Sequence, residues 1–160
     1  MAENTGRFQM IDITKKSDVF REAVAVGKIR LKPETVQMIR NSKVEKGDPL
    51  AAAEIASVIA TKSTSQLIPL CHPIPITSVT TRSTIGEDTV EVEVTVRTTA
   101  KTGVEMEALV GATTYLLTVW DMVKRHEKDS AGQYPSTSIE SVKVKSKTKG
   151  NYHECNLPRT

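Results

Sequence analysis

Between residues 90 and 97 the chain alternates strictly, with Val90, Val92, Val94 and Val96 separated by Glu91, Glu93, Thr95 and Arg97. A period of two with one apolar parity predicts a strand over 89–99 with one wet face. Gly86-Glu87-Asp88 is a turn signal, so residues 76–85 are expected to form the other arm of a hairpin. Ala23, Ala25, Gly27, Ile29 and Leu31 share one parity and predict a first strand over 21–31. Val142 and Val144 mark a last strand over about 138–147. Lys143, Lys145, Lys147 and Lys149 recur at every second position, which on an unbroken strand puts all four on one face.

The helices announce themselves by their starts. Pro33, following Lys32, fits a first helical turn, where its missing N–H costs nothing; this helix is expected to run to about Asn41. Asp48 can cap and Pro49 can begin a second helix, LAAAEIASVIATK, which ends near Lys62. It is apolar almost all round, so burial on more than one side is expected. STSQLIPLCHPIP at 63–75 holds three prolines and reads as irregular or extended. Thr102-x-x-Glu105 has the form of a capping box opening a long helix over 103–127. The middle of that helix, ALVGATTYLLTVW, has almost no polar face. One sheet covers only one stripe of a helix, so the remainder is expected to pack on another subunit, with Ala108, Gly111 and Ala112 allowing close approach. Residues 128–137 form a loop. The order is that of a ferredoxin-like βαββαβ chain, an α+β antiparallel sheet with helices on one face. One domain spans 1–160, with 1–16 and 150–160 expected to be flexible ends.

Aromatic residues make up only 4%, so this core is aliphatic. No run of 18 apolar residues and no apolar signal core occur, and Cys71 and Cys155 fit no CxxC spacing. Two reduced thiols in a cytoplasmic protein are expected. A net charge of +3 is too mild to imply nucleic acid and suits an acidic small molecule equally well. The hairpin strands also lack the aromatic side chains on which RNA-binding sheets stack bases.

Several polar groups are placed for chemistry. His72, beside Cys71, stands in a proline-flanked stretch that holds a side chain without a helix; no second pair with metal-ligand spacing accompanies it. Asp121 and Lys124 lie three apart on one helical face. They either form a surface ion pair, contributing roughly a few tenths of a kcal/mol, or line a pocket, as an acid–base couple or as a phosphate ligand with its orienting carboxylate. Glu105 has a local use at the helix start, whereas Glu107 has none. Lys46 precedes the second helix and Lys62 ends it. GxGxxG, P-loop and GxSxG patterns are absent, so a phosphorylated ligand must be held by Lys, Arg and His side chains.

The strings MIDITKK at 10–16, VGKIRLKPETVQMI at 26–39, LIPLCHP, TGVEMEAL and WDMVK occur in this order. Together they resemble the cyclic pyranopterin monophosphate synthase (MoaC) family of molybdenum cofactor biosynthesis, over most of residues 10–147. The resemblance implies ferredoxin-like subunits assembled as dimers and then as a hexamer, with the active site between subunits. It implies a lyase that converts 3′,8-cyclo-7,8-dihydro-GTP to cyclic pyranopterin monophosphate and releases pyrophosphate. No redox cofactor is implied, and magnesium accompanying the triphosphate is left open. Carried over by motif, Leu70, Cys71 and His72 lie at the substrate, as do Met106 and Glu107 with Glu105 beside them. Asp121 is then the catalytic acid or base, with Lys124 as its partner. Lys46, Lys62 and Arg21 complete the set. In one division of labour Lys124 and Lys46 act on the ring, as bases if crowding cations lower their pKa, while His72, Lys62 and Arg21 hold phosphates. The chain departs from many members in its longer KDSAGQYPSTS loop and in KSKTKGNYHECNLPRT, which replaces a Gly-rich end.

Overall fold

The computed structural model describes residues 8–150. Strand β1 (Val19–Arg30) leads to helices α1 (Pro33–Arg40), α2 (Pro49–Lys62) and the single turn α3 (Thr64–Leu67). The hairpin β2 (Ser78–Ile85) and β3 (Thr89–Ala100), the long helix α4 (Glu105–Glu127) and β4 (Ser138–Gly150) follow. The sheet order is β2-β3-β1-β4 with every pair antiparallel, the ferredoxin-like arrangement expected from the pattern. Val90, Val92, Val94 and Val96 turn inward with Ala23, Ala25 and Ile29, and meet Ala112, Tyr115, Leu116 and Val119 of α4. At Gly27 α4 lies close on the sheet, because a Cβ there would stand 2.8 Å from Leu116 Cδ1.

Helix α2 lies antiparallel to α4. Lys46, just before α2, reaches Asp121, while Thr61 near the end of α2 donates to the Glu107 carbonyl at 3.3 Å. The close approach expected from Gly111 is therefore made first within the chain. A Cβ at Gly111 would come within 2.4 Å of Thr61 Oγ1, 3.1 Å of Ser57 Oγ and 3.2 Å of Val94 Cγ1. Gly111→Ala should destabilise the fold by about 1–3 kcal/mol, the usual range for overpacking. An unchanged urea midpoint would show that the α2–α4 contact yields more readily than this packing allows. Part of the α4 circumference expected to need another subunit is thus covered by α2. An outer apolar face persists, with Ile55 64% and Ile59 60% exposed on α2 and Leu117 53% exposed on α4.

Three local expectations are corrected. Residues 63–75 include the turn α3, because Pro69 constrains only its predecessor and leaves the Ile68 N–H free to donate to the Thr64 carbonyl at 2.9 Å, while the Thr64 hydroxyl donates back to the Ala60 and Thr61 carbonyls. The capping box does not form. The N-cap of α4 is Val104 with no side-chain cap, and the Glu105 carboxylate turns instead to Lys147 at 2.9 Å. The four lysines of β4 are not on one face. The register shifts between Lys28 and Ile29 and again between Val24 and Ala25, leaving Glu140 and Lys145 as extra residues. Each extra residue reverses the parity. Lys147 and Lys149 therefore lie opposite Ala23 and Arg21 on the helix-bearing face, while Lys143 lies opposite Val26 on the open face. Lys145 also pairs on the open face, with Glu93 at 2.5 Å.

The far end of α4 is fixed by Glu127, whose fully buried carboxylate accepts the Lys32 backbone N–H at 3.1 Å and the Thr137 hydroxyl. Lys32 Nζ reciprocates by donating to the carbonyls of His126 and Lys128. This exchange joins the start of α1 to the end of α4. Of the ends expected to be flexible, 1–16 and 150–160, residues 1–7 and 151–160 lie outside the described residues, Cys155 with them, while Gly150 pairs with Phe20 at the end of β4. Among the described residues no helix is long and apolar enough to cross a membrane.

Candidate active site

The proposed site residues fall into two groups at opposite ends of α4. Sixteen residues separate Glu105 from Asp121, which at 1.5 Å per residue is about 24 Å.

The C-terminal group consists of Lys46, Asp121 and Lys124. The loop before α2 carries Lys46 between two left-handed positions, Ser42 at φ 53° and Gly47 at φ 106°. Asp48 then caps α2, its carboxylate accepting from Leu50 and Ala51 N–H, and this cap fixes where the loop ends. Lys46 Nζ donates to the Asp121 carboxylate at 3.1 Å and to the Asp121 carbonyl at 3.0 Å. Lys124 Nζ donates to the other carboxylate oxygen at 2.7 Å. Asp121 thus bridges two ammonium groups. The hydrogen bond from Lys124, then that from Lys46, holds its carboxyl below the usual range, and the same bond raises the Lys124 ammonium above its usual value. A lysine crowded by cations would shift the other way, so within one chain Lys124 is a stabilised acid rather than a free base. The Asp121 side chain is 56% exposed, so this triad has no roof of its own.

The N-terminal group gathers around the first turn of α4. Glu107 is only 4% exposed, and burial followed by the neighbouring Glu105 charge raises its pKa. Burial also raises the Cys71 thiol, with the Glu107 charge adding to it. Burial alone would raise Glu105 as well. Its bonds to Lys147 and to its own backbone N–H, with the Lys147 and Arg21 charges, outweigh burial and hold it low. Met106 is 39% and Leu70 46% exposed at this end, and Lys62, at the end of α2, is exposed beside Thr61.

Arg21, Lys147 and Lys149 share the end of the sheet with a cavity of about 540 Å³ that Lys15, Lys16, Lys101, Thr102 and Glu105 also line. Arg21 donates to the Lys101 carbonyl at 3.3 Å, and its buried Nε has no hydrogen-bond partner among the described residues, leaving a donor at the cavity wall. Six cationic side chains face one carboxylate here. His72 lies in an adjoining hollow of about 250 Å³ that shares Lys101 and Thr102 with the larger one. Its Nε2 is 2.7 Å from the Ile11 carbonyl. Lys101, Lys15 and Lys16 were not singled out in the sequence, and Lys147 and Lys149 were misplaced by the assumption of an unbroken strand. A lysine in a loop carries no local signal of its destination. Among the described residues no cluster of three His, Cys, Asp or Glu side chains is placed to hold a metal ion.

The first group can hold or deliver protons, and the second can bind a polyanion. The chain does not bring them together by itself. A sequence model of the MoaC family matches residues 10–150. Similar proteins include one from Aeropyrum pernix, 60% identical over 88% of this chain and 97% of its own length. Another, from Pyrococcus furiosus, is 54% identical over 88% and 90%. A third, from Methanosarcina mazei, is 52% identical over 91% and 92%. All three carry the name probable cyclic pyranopterin monophosphate synthase. With a match of this extent and identity, the chain belongs to the MoaC family.

Proposed function

We propose that this chain is a cyclic pyranopterin monophosphate synthase acting on 3′,8-cyclo-7,8-dihydro-GTP. The observation that carries the reading is the pairing, in a member of this family, of a proton-handling triad with a polyanion cavity. The overall change is an isomerisation of the ring system joined to loss of pyrophosphate, with no net oxidation or reduction. Opening and reclosing the ring requires protons to be taken and returned, the task that suits Asp121, Lys124 and Lys46. A sugar hydroxyl then attacks the α-phosphorus and gives up its proton, which the departing pyrophosphate can take. A new P–O bond forms, the bond to the β-phosphate bridging oxygen breaks, and pyrophosphate leaves with that oxygen's electrons. Arg21, Lys147 and Lys149, with His72 and Lys62 nearby, would hold the triphosphate and stabilise the charge that develops on the leaving group. Magnesium accompanying the triphosphate would share that charge.

The two halves act on one substrate if they come from different subunits. A twofold axis that sets α4 antiparallel to its copy brings Asp121 of the partner subunit towards Glu107 of the first, and repeats the site on the other side of the axis. The outer face bearing Ile55, Ile59 and Leu117 supports such a contact, because apolar groups this exposed are stabilised by a partner. A hexamer built as a trimer of dimers is the assembly the family resemblance implies.

The test is turnover. Incubation with the cyclised nucleotide should yield one pyrophosphate per substrate consumed and a pterin fluorescence after oxidation. Binding of the nucleotide without pyrophosphate release would instead favour a ligand-sensing oligomer that has kept the fold and lost the reaction.

A further inference from the structure

We infer that residues 10–17 are a strap that closes the phosphate cavity and supplies its outer wall, with Lys15 and Lys16 as further phosphate-binding residues and Lys101 as the clasp. The inference rests on the reading of that cavity as the triphosphate site and assigns it a moving part.

Hydrophobic burial holds the strap at one residue only. Met10 is 48% and Ile11 72% exposed, and among the apolar side chains of the strap only Ile13 is half-buried, against the hollow at His72. What else attaches it to the body is a pair of side chains gripping its backbone. Lys101 Nζ donates to the Thr14 carbonyl at 2.8 Å, and His72 Nε2 meets the Ile11 carbonyl at 2.7 Å. Between and beyond these two points the segment makes its own turn. Asp12 accepts the Thr14 N–H at 2.8 Å, and Lys16 N–H donates to the Ile13 carbonyl at 3.0 Å. That turn delivers Lys15 and Lys16 to the rim of the cavity, facing Arg21, Lys147 and Lys149 across it.

A segment attached at two points and carrying two cations has an energetic reason to open and close. With the cavity empty, Lys15 and Lys16 are repelled by the four other cations that line it, Arg21, Lys101, Lys147 and Lys149, which loosens the strap. A bound polyphosphate reverses that sign and draws them in. The clasp sets how well the closed position is populated, so weakening it should reduce affinity for the phosphate part more than it reduces the rate of chemistry.

The experiment uses the full chain and inorganic pyrophosphate as the probe. Trypsin cleaves after Lys15 and Lys16, and saturating pyrophosphate should slow that cleavage about tenfold in the wild type, the equivalent of one charge-assisted contact. In Lys101→Met the protection should shrink to less than about twofold and the substrate KM should rise about tenfold, with kcat falling much less. Lys101→Arg, which still reaches the Thr14 carbonyl, should restore both, an outcome that simple loss of stability would not produce. The double variant Lys15→Ala/Lys16→Ala should reproduce the rise in KM. Cleavage indifferent to pyrophosphate, while Arg21→Ala weakens pyrophosphate binding, would overturn the strap and leave the phosphate site standing. Pyrophosphate bound as tightly by Arg21→Ala as by the wild type would remove the site, and the strap with it.

Discussion

Asp121→Asn should lower kcat/KM by roughly 10²–10⁴-fold, the range of positioned acid–base groups, while leaving the fold and the oligomer intact. The carboxylate is exposed, so its loss uncovers no buried charge. It is the common acceptor for Lys46 and Lys124, so its loss leaves two ammonium groups facing each other. The pH dependence gives a second reading of the same variant. Asp121 has its pKa lowered by Lys124 and Lys46, so it is ionised throughout the range above its ordinary value near 4 and contributes no acid limb there. Lys124 has its pKa raised by Asp121, so it stays a cation up to and beyond its ordinary value near 10.4. Replacing the carboxylate by an amide removes the cause of that rise, and the nearby Lys46 charge now opposes protonation. The alkaline limb of the residual activity should therefore move to lower pH. Full activity in Asp121→Asn, or an alkaline limb that does not move, would exclude Asp121 and Lys124 as the proton-handling couple.

Two of the three residues of that triad were legible in the sequence, because a spacing of three on a helix brings Asp121 and Lys124 together whatever surrounds them. The pairing of Lys46 with Asp121 was not legible from spacing; Lys46 arrives from 75 residues away, stood out locally only as a cation before the second helix, and was placed in the site through the family resemblance. The same boundary between local and distant determinants runs through the fold. Strand β3 and the cap at Asp48 depend on neighbours in the chain, and both formed as read. The capping box at Thr102 also satisfied its local rule, yet Glu105 is claimed by Lys147, a partner 42 residues on. The β4 lysines failed for another reason. Counting by twos assumes that no residue is extra, and a bulge is invisible when the alternation of types continues through it. The resulting change of parity matters to the site, because it sends Lys147 and Lys149 to the cavity and leaves Lys143 and Lys145 on the other side of the sheet.

Two inactive variants should restore activity to each other when they are mixed in one oligomer. Asp121→Asn damages the C-terminal half of the site and Glu107→Gln the N-terminal half, and each alone should be nearly inactive. If every site takes one half from each subunit of a dimer, a mixed dimer contains one doubly damaged site and one with no substitution at all. Random pairing of equal amounts makes half the dimers mixed, so the refolded or co-expressed mixture should recover about a quarter of wild-type activity. The control is a mixture of Asp121→Asn with Lys124→Ala. Both changes lie in the same half, every site in that mixture carries one of them, and no activity should return. The contrast separates a shared site from a global effect of mixing, since unfolding, aggregation or contamination would affect both mixtures alike. The roughly 24 Å between the two halves along α4 makes the outcome decisive. A site completed within one chain would give no recovery in either mixture, and the assignment of the two ends of α4 to a single shared pocket would then fail.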